Sequence, residues 1–103
     1  MNEPLYTSQI LDKVDAFIGS LSEAERGKLT DDRTALEAGD FNSLHIKTLT
    51  GKIKELIEGR YRLVFFVESG TVYYIHIFVK KSNKTPPKDI QYAKKLYKLI
   101  THT

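Results

Sequence analysis

The sequence predicts an α+β domain in which two N-terminal helices precede a three- to four-stranded antiparallel sheet and a C-terminal helix. Three observations predict it. Apolar residues recur at three- and four-residue steps from Ile10 to Leu21, the mark of one buried helical face. Two runs rich in aromatic and β-branched residues, 60–67 and 71–79, flank Ser69-Gly70, as an antiparallel hairpin requires. Pro86-Pro87 then opens another helix-period segment, at the position in a helix where a missing N–H costs least. A chain of 103 residues supplies one core, not two, so a single domain over 1–103 is expected.

Taken in order, Ser8 is the expected N-cap of the first helix, whose stripe is Ile10, Val14, Phe17, Ile18 and Leu21. Gly19-Ser20 loosens its end. Ser22 with Glu25 three residues on is a capping-box pattern, and a more polar helix runs from there to Ala38 with Leu29 and Leu36 as anchors and Gly39 as its stop. The period changes at Leu44, and Thr50-Gly51 punctuates the chain. Residues 52–58 fit strand or helix, and seven residues before a glycine favour a strand. In the last helix Ile90, Ala93, Leu96, Tyr97 and Ile100 share a side, with Lys88, Lys94, Lys95 and Lys98 elsewhere.

Charge is divided along the chain. Residues 1–43 hold four basic against nine acidic side chains, whereas residues 44–103 hold twelve against four. A basic half on a chain of net charge +3 points to a polyanion on one side of the molecule. Strand alternation puts Tyr73, Ile75, Ile77 and Val79 on one apolar face. Opposite lie Val72, Tyr74, His76, Phe78 and Lys80, with Arg60 and Arg62 expected to join them from the neighbouring strand. Basic and aromatic groups side by side suit RNA, because guanidinium forks bind phosphate and rings stack on unpaired bases. The alternative is a half-exposed sheet whose arginines pair with Glu55 and Glu58. His76 fits a packed strand histidine as well as a catalyst.

Other chemistries lack their residues. Without cysteine there is no thiol nucleophile, disulfide or Cys-based zinc site, and His45, His76 and His102 have no metal-ligand spacing. No nucleophile elbow, P-loop or dinucleotide fingerprint occurs. No apolar run reaches the roughly 20 residues of a membrane span. The acidic start Met1-Asn2-Glu3-Pro4 lacks a leader's basic region, so a cytoplasmic protein is expected.

The stretches Leu49-Thr50-Gly51-Lys52-Ile53-Lys54-Glu55-Leu56, Tyr61-Arg62-Leu63-Val64-Phe65-Phe66 and Ile77 to Pro86, followed by Ala93, resemble the RelE/HigB superfamily of type II toxin–antitoxin toxins, including its phage-derived branch. The most specific piece is Phe78-Val79-Lys80-Lys81-Ser82-Asn83-Lys84-Thr85-Pro86, and the likeness covers roughly residues 8–100. The resemblance implies a RelE-like fold and a toxin that cuts mRNA, usually on the ribosome, without metal or other cofactor. In that reaction the substrate's 2′-hydroxyl attacks the adjacent phosphate. It implies Arg62, with Arg60, stabilising the phosphorane; Lys54 or Lys80 moving protons, with His76 as a further candidate; and Lys52, Lys81 and Lys84 holding RNA. Many relatives read Glu-Leu-Arg where this chain reads Glu55-Leu56-Ile57, so one phosphate-binding arginine is replaced and Arg60 is the expected stand-in. The implied partners are an antitoxin, often a helix-turn-helix protein, besides mRNA and ribosome. Two other readings stay open: a ParE-like toxin acting on gyrase, and a non-catalytic nucleic-acid-binding relative.

Overall fold

Ser69 and Gly70, both with positive φ (50° and 78°), reverse the chain between β4 (Tyr61–Glu68) and β5 (Thr71–Val79). Two successive left-handed residues match the twist of the strands they join. Gly59, also at positive φ, joins β3 (Ile53–Glu58) to β4, and β2 (Ile46–Thr50) lies outside β3. The computed structural model describes residues 4–102; the acidic start at Met1, Asn2 and Glu3, which entered the expectation of a cytoplasmic protein, lies outside them.

The fold class is as expected, with a larger sheet. A further strand, β1 (Thr7–Ile10), runs parallel to β5 and makes the order β1-β5-β4-β3-β2. Ser8 is therefore a strand residue and not a helix cap. The free edge of β5 offers more than a serine cap would: Thr7 N–H donates to the Gly70 carbonyl (3.0 Å) and Leu11 N–H to the Tyr74 carbonyl (3.1 Å). The first helix, α1 (Asp12–Gly19), accordingly starts at Leu11, without a side-chain cap.

Helices cover both faces of the sheet. On one side Val14 and Ile18 of α1 and Leu29 and Leu36 of α2 (Glu23–Glu37) meet Leu56, Leu63, Phe65, Val72, Tyr74 and Ile77. On the other, Ala93, Leu96, Tyr97 and Ile100 of α3 (Pro87–Thr101) cover Ile53, Val64, Phe66 and Ile75. Residues 61–66 of the central strand are all buried, which is why that strand reads as a nearly unbroken apolar run.

The expected mixed face is thus no open surface, and its membership changes. A bulge lies between the pairs Val64–His76 and Phe65–Tyr74, and the extra residue, Ile75, breaks the period-2 alternation. Tyr73 and Ile75 turn to α3 while Ile77 stays toward α1 and α2. Tyr74 joins the α1/α2 side, where its hydroxyl donates to Glu37 (2.6 Å) and Arg33 lies over its ring at 4.7 Å.

The Ser22–Glu25 capping box forms as read. The Glu25 carboxylate also accepts from the Tyr61 hydroxyl (2.6 Å), and this bond above all holds its pKa below the usual carboxylate value. Farther along α2, Asp32 meets Glu58. Burial, then the hydrogen bond to Glu58 and that residue's charge, push the Asp32 carboxyl up from 3.8 to about 7. Between those values the folded chain holds a proton that the unfolded chain has lost, so this pair's contribution declines as pH rises through the window. Asp32→Asn, a donor without the charge, is expected to raise the melting temperature at pH 8 by a few degrees, on the order of 1 kcal/mol once solvent screening is allowed for. At pH 4 the change should be small. Thermal melts at the two pH values check this, and an equal shift at both would contradict it.

Candidate functional site

Strand register assembles a cationic cleft on the α3 side of the sheet, at the end where β3, β4 and β5 pass Ile57, Arg62 and Phe78. Lys47 lies opposite Glu55, Ile57 opposite Arg62, and Arg62 opposite Phe78; cross-strand partners share a face, so these side chains meet. His45 stands at the margin, its segment fixed by the bond from Ile57 N–H to the His45 carbonyl (2.9 Å). The chain leaving β5 forms the other wall: Lys80, Lys81, Ser82, Asn83, Lys84, Thr85 and Pro86. Pro86 caps α3 and Pro87 is its first residue, so the loop ends on a rigid helix start.

The enclosed volume is about 130 Å³, well below the roughly 300 Å³ at which pockets begin to enclose a small molecule. A backbone phosphate fits that space, whereas a whole enclosed nucleotide does not. Five cations line it, Lys47, Arg62, Lys80, Lys81 and Lys84, with Glu55 the one carboxylate in the lining. Among the described residues none of the five is in an ion pair. Their field is therefore unspent and directed at an anion.

Arg62 is buried, at 8% exposure. Its Nη1 donates to the carbonyls of Gly59 and Tyr61, both at 2.9 Å. Those two bonds fix the guanidinium plane and leave the rest of the fork facing the cleft. Glu55, at 4% exposure, accepts at Oε2 from the Thr85 hydroxyl (3.0 Å), which ties the loop to the sheet. Glu55 and His45 are the lining side chains that carry a carboxylate and an imidazole, the groups able to accept a proton there.

Of the eight site residues expected from the sequence, the structure brings together Arg62, Lys80, Lys81 and Lys84. The other four lie elsewhere. Arg60 turns away to α2, where it pairs with Glu25 (3.4 Å) and covers the Tyr61 ring at 5.1 Å; it does not stand in for an arginine at Ile57. Lys54 pairs in register with Phe65 and so lies on the α1/α2 side, hydrogen-bonded to Thr48 at 3.2 Å. Lys52, on the β2–β3 turn, pairs with Glu68 (3.4 Å). His76 is on the α3 side but outside the lining: Nε2 is 2.7 Å from Asp89 Oδ1, and Phe78 and Tyr92 pack on its ring. That contact pins the first turn of α3 to β5. Arg60 and Arg62 therefore do not pair with Glu55 and Glu58, and of the expected site cations one arginine and three lysines meet in the cleft.

His45, Lys47, Glu55 and Thr85 are not among the site residues expected from the sequence. Alternation from Ile57 would have found Glu55, a lone acid on the same face within a basic half. His45 and Lys47 precede a bulge between Thr48 and Thr50, and no pattern in that short edge strand marks their facing. Among the described residues no cluster of three or more His, Asp or Glu side chains is placed to hold a metal, and no helix is long and apolar enough to cross a membrane.

Comparison with known proteins agrees with this architecture. The structure is similar to that of a chain in the archaeal RelE–RelB complex from Pyrococcus horikoshii OT3, with a TM-score of 0.67 at 18% identity, over 75% of this chain and 97% of that one. It is also similar to a chain of the RelB–RelE antitoxin–toxin complex from Methanococcus jannaschii, with a TM-score of 0.60 at 13% identity, over 75% and 98%. No curated protein sequence matches. The model of the family described as phage derived protein Gp49-like (DUF891) matches residues 16–98, a span that includes every residue lining the cleft. The chain therefore belongs to the phage-derived Gp49-like family and has a RelE-like fold, in keeping with the resemblance to the RelE/HigB superfamily read from its sequence.

Proposed function

We propose that this protein is the toxin of a toxin–antitoxin pair and that it cuts mRNA, on the ribosome, at the cleft around Arg62. One observation carries the reading: five cations, free of ion pairs among the described residues, converge on one small cleft beside a buried carboxylate. The family match and the RelE-like fold support the toxin class, and both structural neighbours are chains of RelE–RelB complexes, the one from Methanococcus jannaschii an antitoxin–toxin complex. An antitoxin, of the helix-turn-helix kind implied by the resemblance, is accordingly the proposed protein partner. Acidic segments of such a partner would complement the cleft's charge.

The reaction follows from what each group can do. Glu55 takes the proton from a ribose 2′-hydroxyl as O2′ bonds to the neighbouring phosphorus. The phosphorane gains negative charge, which Arg62 and Lys80 stabilise from positions fixed before the reaction. Lys81, Lys84 and Lys47 hold the flanking phosphates. The P–O5′ bond then breaks, and O5′ leaves with a proton from His45. Products are a 2′,3′-cyclic phosphate and a 5′-hydroxyl, and DNA, lacking the 2′-hydroxyl, is not a substrate.

Ile57 favours a second reading. It occupies the cleft wall opposite Arg62, where many relatives carry arginine, so a binder without catalysis is the rival. Induced expression decides between them. Growth arrest with new mRNA 5′ ends that vanish when translation is blocked supports the nuclease. Harmless expression with RNA binding retained supports the binder, and stalled gyrase–DNA complexes would place the protein with ParE-like toxins.

A further inference from the structure

The outer face of α3 carries one sign of charge and has no role in the cleft. At about 100° per residue, Lys88, Gln91, Lys94, Lys95, Lys98 and Leu99 project from the side opposite buried Asp89 and Ala93, and His102, the left-handed C-cap residue, ends the stripe. Asp89 is the helix's one acid, and it is occupied by His76. None of the four lysines is in an ion pair among the described residues. Lys94, Lys95 and Lys98 border an open trough along the helix, and Lys94 and Lys98 also border a groove reaching Gly51 and Lys52 on the β2–β3 turn. From Lys88 to His102 the stripe is about 20 Å long, and Lys98 lies about 18 Å along the helix axis from Pro86 at the cleft.

We propose that this face is a second nucleic-acid surface, separate from the cleft, which binds the sugar–phosphate backbone of double-helical RNA. Lysine stripes suit phosphates and suit protein partners poorly, because lysine is depleted from protein–protein interfaces and its ammonium releases counterions from a polyanion. The exposed apolar content is Leu99, with Tyr92 at the margin packed against His76, too little for a hydrophobic docking patch. Helical geometry sends Lys94 and Lys98 to one flank and Lys88 and Lys95 to the other. That divergence lets one helix address phosphates on both sides of a wide, shallow groove such as the A-form minor groove. The choice of RNA over DNA rests on the nuclease reading above; the backbone contact itself does not.

The test is equilibrium binding of the full chain to a mixed-sequence 20-base-pair RNA duplex across a salt series. Changing Lys94, Lys95 and Lys98 together to glutamine keeps helix-forming side chains of similar length. The triple variant is expected to lose at least tenfold in affinity at low salt, with a log–log salt slope shallower by about two to three. Arg62→Ala should leave duplex affinity within about twofold. Duplex affinity unchanged in the triple variant overturns the proposal, as does its loss in Arg62→Ala instead. Equal or tighter binding of the matching DNA duplex overturns the assignment to RNA, and tighter binding of an acidic helical peptide overturns the assignment to nucleic acid. If the triple variant loses duplex binding but the unmodified protein cuts no mRNA, the nuclease reading falls and this surface stands.

Discussion

Arg62→Ala is expected to slow mRNA cleavage by roughly 10²–10³-fold, the usual cost of removing a fixed donor from developing oxyanion charge. The arginine is held for that task. Its Nη1 bonds to Gly59 and Tyr61 set the guanidinium plane before substrate arrives, so no reorganisation accompanies the reaction. Removing it also takes a side-chain donor from the Gly59 and Tyr61 carbonyls and empties a buried position in β4. A thermal melt of the variant therefore accompanies the rate measurement. Arg62→Lys separates the two effects, because it restores a cation without the fork: partial recovery of rate is expected. Full activity in a folded Arg62→Ala protein would remove Arg62 from the site.

Glu55→Gln is expected to lower the cleavage rate by about 10²–10⁴-fold, the range for a positioned general base. The amide oxygen still accepts from Thr85, so the loop stays tied down and the melting temperature should hardly move. RNA affinity should hold or rise, because the cleft loses its one negative charge. A fall in kcat without a rise in KM is thus the specific signature. Undiminished cleavage would pass the base role to His45, whose replacement by asparagine is then the matching measurement.

The elements were legible where local chemistry and tertiary packing agreed. Ser22 with Glu25, Ser69-Gly70 and Pro86-Pro87 act within a few residues of themselves, and each does what its sequence implies. Ser8 misleads because its competitor is distant: the open edge of β5 is 63 residues away from Thr7 at Gly70 and absent from any local window. The faces of β5 were readable only as far as the Ile75 bulge, because one inserted residue reverses every assignment beyond it. The uninterrupted run from Leu63 to Val67 already carried the signal of a strand covered on both sides, and with it the loss of an open mixed face.

The site was half legible for a related reason. Lys80, Lys81 and Lys84 occupy one loop, and Arg62 is a charged residue within an apolar strand, so position along the chain marks them. Which face Lys54 takes depends on strand register, and what Arg60 meets depends on a helix 35 residues away. Neither is written locally. Glu25 accepts from both Arg60 and Tyr61, and so diverts to fold stability a guanidinium that resemblance assigns to RNA.

The claim that everything else depends on is that the RNA's own 2′-oxygen is the nucleophile. It is tested most directly by translating an mRNA with a single 2′-deoxynucleotide on the 5′ side of a mapped cut and examining the fragment ends. Loss of cutting at that bond alone, with 2′,3′-cyclic phosphate and 5′-hydroxyl ends at the unmodified sites, is the predicted result. Undiminished cutting of the deoxy-substituted bond, or fragments with 5′-phosphates, would contradict it.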